Sequence, residues 1–508
     1  MSLPQSTDEG AGLQALKDRI ESGIPRLDYI LKGGFFRGGT YSIIGPPGSG
    51  KTILGNQFCF NHIGKADGRC VYMSLLVENH AKMLRHLATL RFFRPEEIPD
   101  HLYYVSGYSA LREGGPGALL NLIRDTLRDR QATLFVIDGM ESLREFARGE
   151  QQVKEFVHEL QAYTALIDCT TLLMCFKDPS YSFTENAVVD GVIELSDELI
   201  GPRAVRELTV HKFRGGDYLR GKHEVEITGD GIVIHPRTEI QFDRPGSDPG
   251  EVRERMQFGV PELDRMMFGG LPSGSTTALL GAPGTGKTLL GLAFLVEGAK
   301  RGQHGTYFGF YEPPPRLLEK AGQVGIELKK YVDSGLIDIV WQPPLEHMLD
   351  SLAEQLLERV REKPLNRRRL FFDGIEGFRA ASVYPDRMPR FLSAFCNQLR
   401  MLDVTAVMTE ELPLFRPEIV MPNPELANVV EAVVLLRYVE LRSQLYRLLS
   451  IMKMRESRYD TSIREFKITD TGLEVASTFE SAEAILTGHA RYGGAPGGTA
   501  AGDGGGQS

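Results

Sequence analysis

One thirty-residue segment occurs twice in this chain, and that repetition restricts what the polypeptide can fold into more than any other feature. Residues 23–52 read GIPRLDYILKGGFFRGGTYSIIGPPGSGKT, and residues 259–288 read GVPELDRMMFGGLPSGSTTALLGAPGTGKT. Asp28 and Asp264, Gly45 and Gly281, and Lys51 and Lys287 each lie 236 positions apart, so the register holds through the segment. Further on, LFVID ending at Asp138 pairs with RLFFD ending at Asp373 at a spacing of 235, and HKFRG (211–215) pairs with MKMRE (452–456). The whole fold is therefore duplicated, and 508 residues that are 42% hydrophobic suffice for two cores without a third domain.

Between the copies the chain is rich in proline, glycine and charge, which predicts a linker at 241–254 joining a first domain at 15–240 to a second at 255–485. Residues 1–14 and the glycine-rich 486–508 carry too little apolar surface to order themselves and are expected as disordered tails. No apolar run approaches the ~20 residues that a membrane-spanning helix needs, and MSLPQSTDEG shows no leader pattern, so a cytoplasmic location without membrane contact is expected. Cys59, Cys70, Cys169, Cys175 and Cys396 sit in apolar stretches without metal-ligand spacing and read as reduced core residues. A net charge of -9 argues against a protein whose main business is holding nucleic-acid phosphates.

Within each copy, strand-like apolar runs alternate with helix-like stretches: TYSIIG before a helix from Lys51, CVYMSLL before AKMLRHLATL, LFVID after LLNLIRDTLRD. That alternation predicts an α/β fold with a mostly parallel central sheet and helices on both faces. RELTVHKFRGG and HEVEITGDGIVIHP alternate with period two around Gly-Asp-Gly and predict an antiparallel extension.

GPPGSGKT (45–52) and GAPGTGKT (281–288) both fit GxxxxGK[ST], each directly after an apolar strand and before a helix. In such a loop the glycines, here Gly45, Gly48 and Gly50 with their counterparts Gly281, Gly284 and Gly286, let main-chain N–H groups turn toward phosphate oxygens. Ser49 and Thr285 complete the two loops, and Lys51 and Lys287 would neutralise the outer phosphates of ATP during binding and catalysis. Thr52 and Thr288 would offer a hydroxyl to Mg²⁺, with Asp138 and Asp373 at the ends of later strands as its carboxylate partners.

Hydrolysis also requires a carboxylate that orients the attacking water. In the second copy TYFGFYE places Glu312 at the end of the next strand; in the first, CVYMSLLVE brings Glu78 there only with one inserted residue. Lys212 with Arg214 and Lys453 with Arg455 lie on apparent strands with one residue between them, so both side chains face one way and want an anion. On an ATPase that arrangement suggests a basic finger for the γ phosphate of a neighbouring subunit.

GIxxLDxxLxGG, the P-loop, the strand-end Glu and Asp, and the late KxR together resemble the RecA-like superfamily and, more narrowly, the double-domain KaiC family of bacterial clock ATPases. The likeness runs from about residue 15 to 480, with RYVELRSQLYRLLSIMKMRESRYDTSIREFKITDTG (437–472) its most specific stretch. It implies two RecA-like domains, a homohexamer of stacked rings with ATP and Mg²⁺ at subunit interfaces, and regulatory partner proteins. It also implies self-phosphorylation on a Ser-Thr pair, whose positions here are Ala427 and Asn428; from Glu410 to Arg437 there is no Ser, Thr or Tyr. The expected function is a slowly hydrolysing nucleotide-dependent switch, the alternatives being a KaiC-type autokinase and a RecA- or RadA-like DNA motor.

Overall fold

The structure, a computed structural model, describes residues 19–65, 68–76, 80–177, 188–241, 254–343, 347–362, 368–413, 424–441, 443–455 and 457–477. Both tails and all of the linker between its end residues lie outside this set. The chain divides into two compact units at Gln241/Phe242.

In the first unit nine strands form one sheet: β1 (Thr40–Gly45), β2 (Cys70–Ser74), β3 (Leu102–Ser106), β4 (Leu134–Asp138), β5 (Thr170–Phe176), β6 (Gly191–Ile200), β7 (Arg203–Phe213), β8 (Lys222–Thr228) and β9 (Gly231–His235). Their spatial order is β9-β8-β7-β6-β1-β5-β4-β2-β3. The strands from β3 across to β6 pair in parallel, and β6 through β9 pair antiparallel. The Gly229–Asp230 turn closes the last hairpin, where Thr228 faces Gly231. The second unit repeats the plan with β10 (Thr276–Gly281), β11 (Gly305–Gly309), β12 (Ile337–Trp341), β13 (Arg368–Asp373), β14 (Val404–Glu411), β15 (Ala432–Leu441), β16 (Gln444–Met454), β17 (Arg464–Thr469) and β18 (Gly472–Val475). The order β12-β11-β13-β14-β10-β15-β16-β17-β18 is the first order read from its other end.

TYSIIG is buried at all six positions of β1, as a strand between two parallel neighbours and two helical layers must be. Ile43 packs with Leu54 and Phe58 of the helix Lys51–Ile63, whereas Ile44 packs on the opposite face with Ile123 and Val157 of two other helices. Alternation along the strands thus feeds a separate core on each face of each sheet. All five cysteines are buried within these layers and none is in a disulfide.

One expectation needs correction. Lys212 and Lys453 lie in β7 and β16, but Arg214 and Arg455 stand just beyond the strand ends, and a bulge interrupts each ladder beside the lysine. The arginine run before LFFD is also interior: Arg368 and Arg369 begin β13 and are 5% and 2% exposed. Arg369 donates to Gln303 Oε1, to the Phe294 carbonyl and to the Gln257 carbonyl, so its charge is satisfied inside the fold. Arg367 lies outside the described residues.

Candidate nucleotide site

Each P-loop runs from the end of the central strand to the N-terminus of the longest-buried helix of its unit, Lys51–Ile63 or Lys287–Lys300. Gly50 and Gly286 enter those helices at φ of 100° and 103°, a conformation that side chains rarely adopt. Gly45 and Gly281 are excluded from growing a side chain for another reason: a Cβ would fall 2.2 Å and 2.5 Å from the carbonyl oxygens of Leu195 and Leu436. Ser49 and Thr285 are buried within the loops; Thr285 Oγ1 donates to the Ala282 carbonyl.

The two lysines rest on the loops they serve. Lys51 Nζ donates to the Gly45 and Pro46 carbonyls at 2.8 and 2.9 Å, and Lys287 Nζ to those of Gly281 and Ala282 at 2.7 and 3.0 Å. Burial pushes both ammonium pKa values below the usual lysine value. A buried cation satisfied only by neutral carbonyls gains strongly from an incoming polyanion.

Thr52 Oγ1 donates to Asp138 Oδ2 at 2.9 Å, and Thr288 Oγ1 to Asp373 Oδ2 at 3.0 Å. The same oxygens also accept from tyrosine hydroxyls, Tyr72 at 2.6 Å and Tyr307 at 3.3 Å. One hydroxyl and one carboxylate are too few to cage a metal alone, and among the described residues no group of three His, Cys, Asp or Glu could hold one. They do suit Mg²⁺, which keeps waters and takes its other ligands from phosphates.

In the second unit a cleft of about 440 Å³ is lined by Gly284, Gly286, Lys287, Thr288, Glu312, Asp373 and Glu376, among others. Glu312 Oε1 accepts from Lys320 Nζ at 2.6 Å. Glu78 lies outside the described residues, but the strand registers bear on it. Ser74 pairs with Asp138 as Gly309 pairs with Asp373, which puts β2 and β11 at a spacing of 235 and Val77 opposite Glu312. Glu78 thus requires two extra residues in the first copy, one before β2 and one after it, rather than the single insertion expected. The basic pairs turn inward within one chain: Lys212 Nζ donates to the Val189 carbonyl at 2.6 Å, and Lys453 Nζ to that of Val430 at 2.7 Å. Arg214 and Arg455 reach the carbonyls of Val188 and Asn428.

Sequence reasoning passed over several groups here. Tyr72 and Tyr307 lie inside the strand runs CVYMS and GTYFG and carry no separate signal; Glu141 and Glu376 were visible as DGME and DGIE, at the same offset as the aspartates. Thr409, whose hydroxyl donates to Asp373 Oδ1 at 2.9 Å, and Lys320 left no local signal.

Two tandem RecA-like α/β domains, each with a P-loop facing a Thr–Asp pair, define a P-loop ATPase class. A family model described as "ATPase: KaiC" matches residues 20–239 and 256–480, and the chain belongs to that family. It is similar to the "Circadian clock oscillator protein KaiC" of Picosynechococcus sp., 26% identical over 96% of this chain and 95% of the relative. The "Circadian clock oscillator protein KaiC 1" of Synechocystis sp. is 25% identical over 94% of this chain and 92% of its own. For "Circadian clock protein KaiC3" from the same organism the figures are 25%, 94% and 95%.

Proposed function

We propose that each half of this chain binds Mg-ATP and hydrolyses it slowly, and that the nucleotide state of a homohexameric ring is read by partner proteins as a regulatory switch. The observation that carries the reading is the duplicated set of lysine, threonine and aspartate, with the same lysine–carbonyl and threonine–aspartate hydrogen bonds in both halves. Thr52 with Asp138 and Thr288 with Asp373 would hold Mg²⁺, which when bound offsets phosphate charge. The chain's own residues do the rest: loop amides and the helix N-terminus cradle the phosphates, and Lys51 and Lys287 exchange main-chain carbonyls for phosphate oxygens. For the KxR pairs to serve a neighbouring subunit, they would likewise give up the carbonyls they hold within one chain.

The kinase alternative lacks an acceptor, since Ala427 and Asn428 occupy the helix Pro424–Val429 at the positions where the resemblance puts hydroxyls. A DNA motor is disfavoured because Arg368 and Arg369 are buried and so do not present their basic run to phosphate. Among the described residues no helix is long and apolar enough to cross a membrane. Titration calorimetry with Mg-ATP on the pure chain tests the binding claim, with two sites per chain expected and no heat of binding fatal to it. Sizing with ATP tests the ring, and a nucleotide-loaded monomer would remove the ring from the proposal.

A further inference from the structure

The carboxylate that recurs in phase at the two sites is neither Glu78 nor Glu312. Glu141 and Glu376 stand three residues beyond Asp138 and Asp373, each in the first turn of a short helix, and they are 235 positions apart. Each commits one oxygen in the same manner. Glu141 Oε1 accepts from the Phe176 N–H, and Glu376 Oε1 accepts from the Glu411 N–H. Phe176 and Glu411 are themselves equivalent: they end β5 and β14, paired with Gly45 and Gly281, where the P-loops begin.

That single bond fixes each carboxylate at the mouth of its phosphate loop and leaves its second oxygen for other work. Glu376 Oε2 is buried and has no hydrogen-bond partner among the described residues. It belongs to the cleft that also exposes Lys287, Thr288 and Asp373. An unpartnered buried carboxylate oxygen is costly, and a polar ligand arriving in the cleft relieves that cost. Lys51 lies within the field of Glu141, and Lys287 within that of Glu376. Glu312 Oε1 is in an ion pair with Lys320 and its Oε2 is likewise buried without a hydrogen-bond partner among the described residues, but no carboxylate stands 235 or 236 positions before it, where the first half has Val77 and Leu76.

We propose that Glu376, and Glu141 in the first half, is the carboxylate that orients and deprotonates the attacking water. The assignment rests on the ATPase reading above. Water oxygen forms a bond to the γ phosphorus, and the bond from that phosphorus to the β–γ bridging oxygen breaks with its electron pair left on ADP. The water proton passes to the glutamate, which returns it to solvent, so ATP and water give ADP and inorganic phosphate.

The test uses full-length chain carrying Lys51→Ala, so that only the second site turns over, and adds Glu376→Gln. Glutamine keeps an oxygen for the Glu411 N–H but accepts no proton. The expected result is a kcat lower by ~100-fold or more, as loss of a general base gives, with the Kd for Mg-ATP and the thermal midpoint unchanged. Glu312→Gln, in the same background, is expected to cost at least tenfold less than Glu376→Gln. Turnover that survives Glu376→Gln, or a loss matched by an equal loss of binding, overturns the assignment. If the parent chain binds no Mg-ATP at all, the ATPase reading falls first and takes this inference with it.

Discussion

The strand beside the P-loop ends differently in the two halves, with Met174, Cys175 and Phe176 in the first and Thr409, Glu410 and Glu411 in the second. In the second half Thr409 accepts from the Gly374 N–H at 2.8 Å while donating to Asp373, and the fully buried Glu410 pairs with Arg379. In the first, the polar investment lies one strand over: Glu194 on β6 accepts from Lys177 Nζ at 2.5 Å and pairs with His211 at 2.7 Å. The groups that would hold a triphosphate are thus duplicated bond for bond, while those around its outer end are not. Binding is built into both halves alike, and the reaction environment is built separately.

The bluntest way to break this comparison is to remove one lysine at a time. Lys51→Ala and Lys287→Ala each delete a buried charge-assisted partner worth about 1.5–3 kcal/mol, so each should weaken Mg-ATP at its own site by ~10–100-fold. Calorimetric stoichiometry should fall from two sites to one with either variant. If a single substitution abolishes both sites, the halves do not bind independently and the bond-for-bond equivalence has misled.

A finer test concerns Thr409, for which the first half has Met174 at the matching position. Thr409→Val leaves Asp373 Oδ1 and the Gly374 N–H without this partner, at a cost of about 1–3 kcal/mol for buried groups. Asp373 already has its carboxyl pKa raised by burial, and Thr409 is the strongest of the bonds opposing that rise. The variant should therefore need more Mg²⁺ for half-maximal ATP binding at the second site, and Thr409→Ser should restore it. Met174→Ala should leave the Mg²⁺ requirement of the first site where it was. An unchanged requirement in Thr409→Val would mean that the threonine adds nothing to the metal-facing carboxylate.

These contrasts also show what the sequence could disclose. Lys51, Thr52 and Asp138, with their counterparts, were legible because a contiguous motif between an apolar strand and a helix carries its own geometry. Thr409 was not, because its meaning comes from β14 lying between β13 and β10, a neighbour relation set by strand order. Period-two reasoning put Lys212 and Arg214 on one strand face, and bulges beside Lys212 and Lys453 broke that rule. Arg368 and Arg369 depart from the usual place of a dense basic run, which is in water, because main-chain carbonyls and Gln303 satisfy Arg369 in the interior. For Glu141 and Glu376 the pattern is present in both copies, but it lies in the turn after β4 and β13, not at the end of β2 and β11 where a water-orienting carboxylate is expected.

The smallest expected effect is a pH dependence of opposite sign at two carboxylates, Asp264 in the second half and Glu194 in the first. Burial pushes the Asp264 carboxyl from 3.8 up to about 6, only partly opposed by the Phe258 and Gly259 N–H donors. The folded second half therefore holds this proton more tightly than the unfolded chain does, so its contribution is full below pH 3.8 and is lost as the pH rises through about 6. Asp28 shifts in the same direction, with the Ser22 hydroxyl as an additional donor opposing it. Glu194, found only in the first half, goes the other way: hydrogen bonds from His211 and Lys177 hold it at about 2, against an ordinary 4.5. Its contribution is present above pH 4.5 and disappears as the pH falls through about 2. Urea midpoints taken across this range should fall less steeply from pH 4 to 6 in Asp264→Asn than in the parent, because asparagine has no proton to release. Below pH 4.5, Glu194→Gln should flatten the acid side instead. Parallel profiles for Asp264→Asn and the parent would show that Asp264 does not titrate with folding.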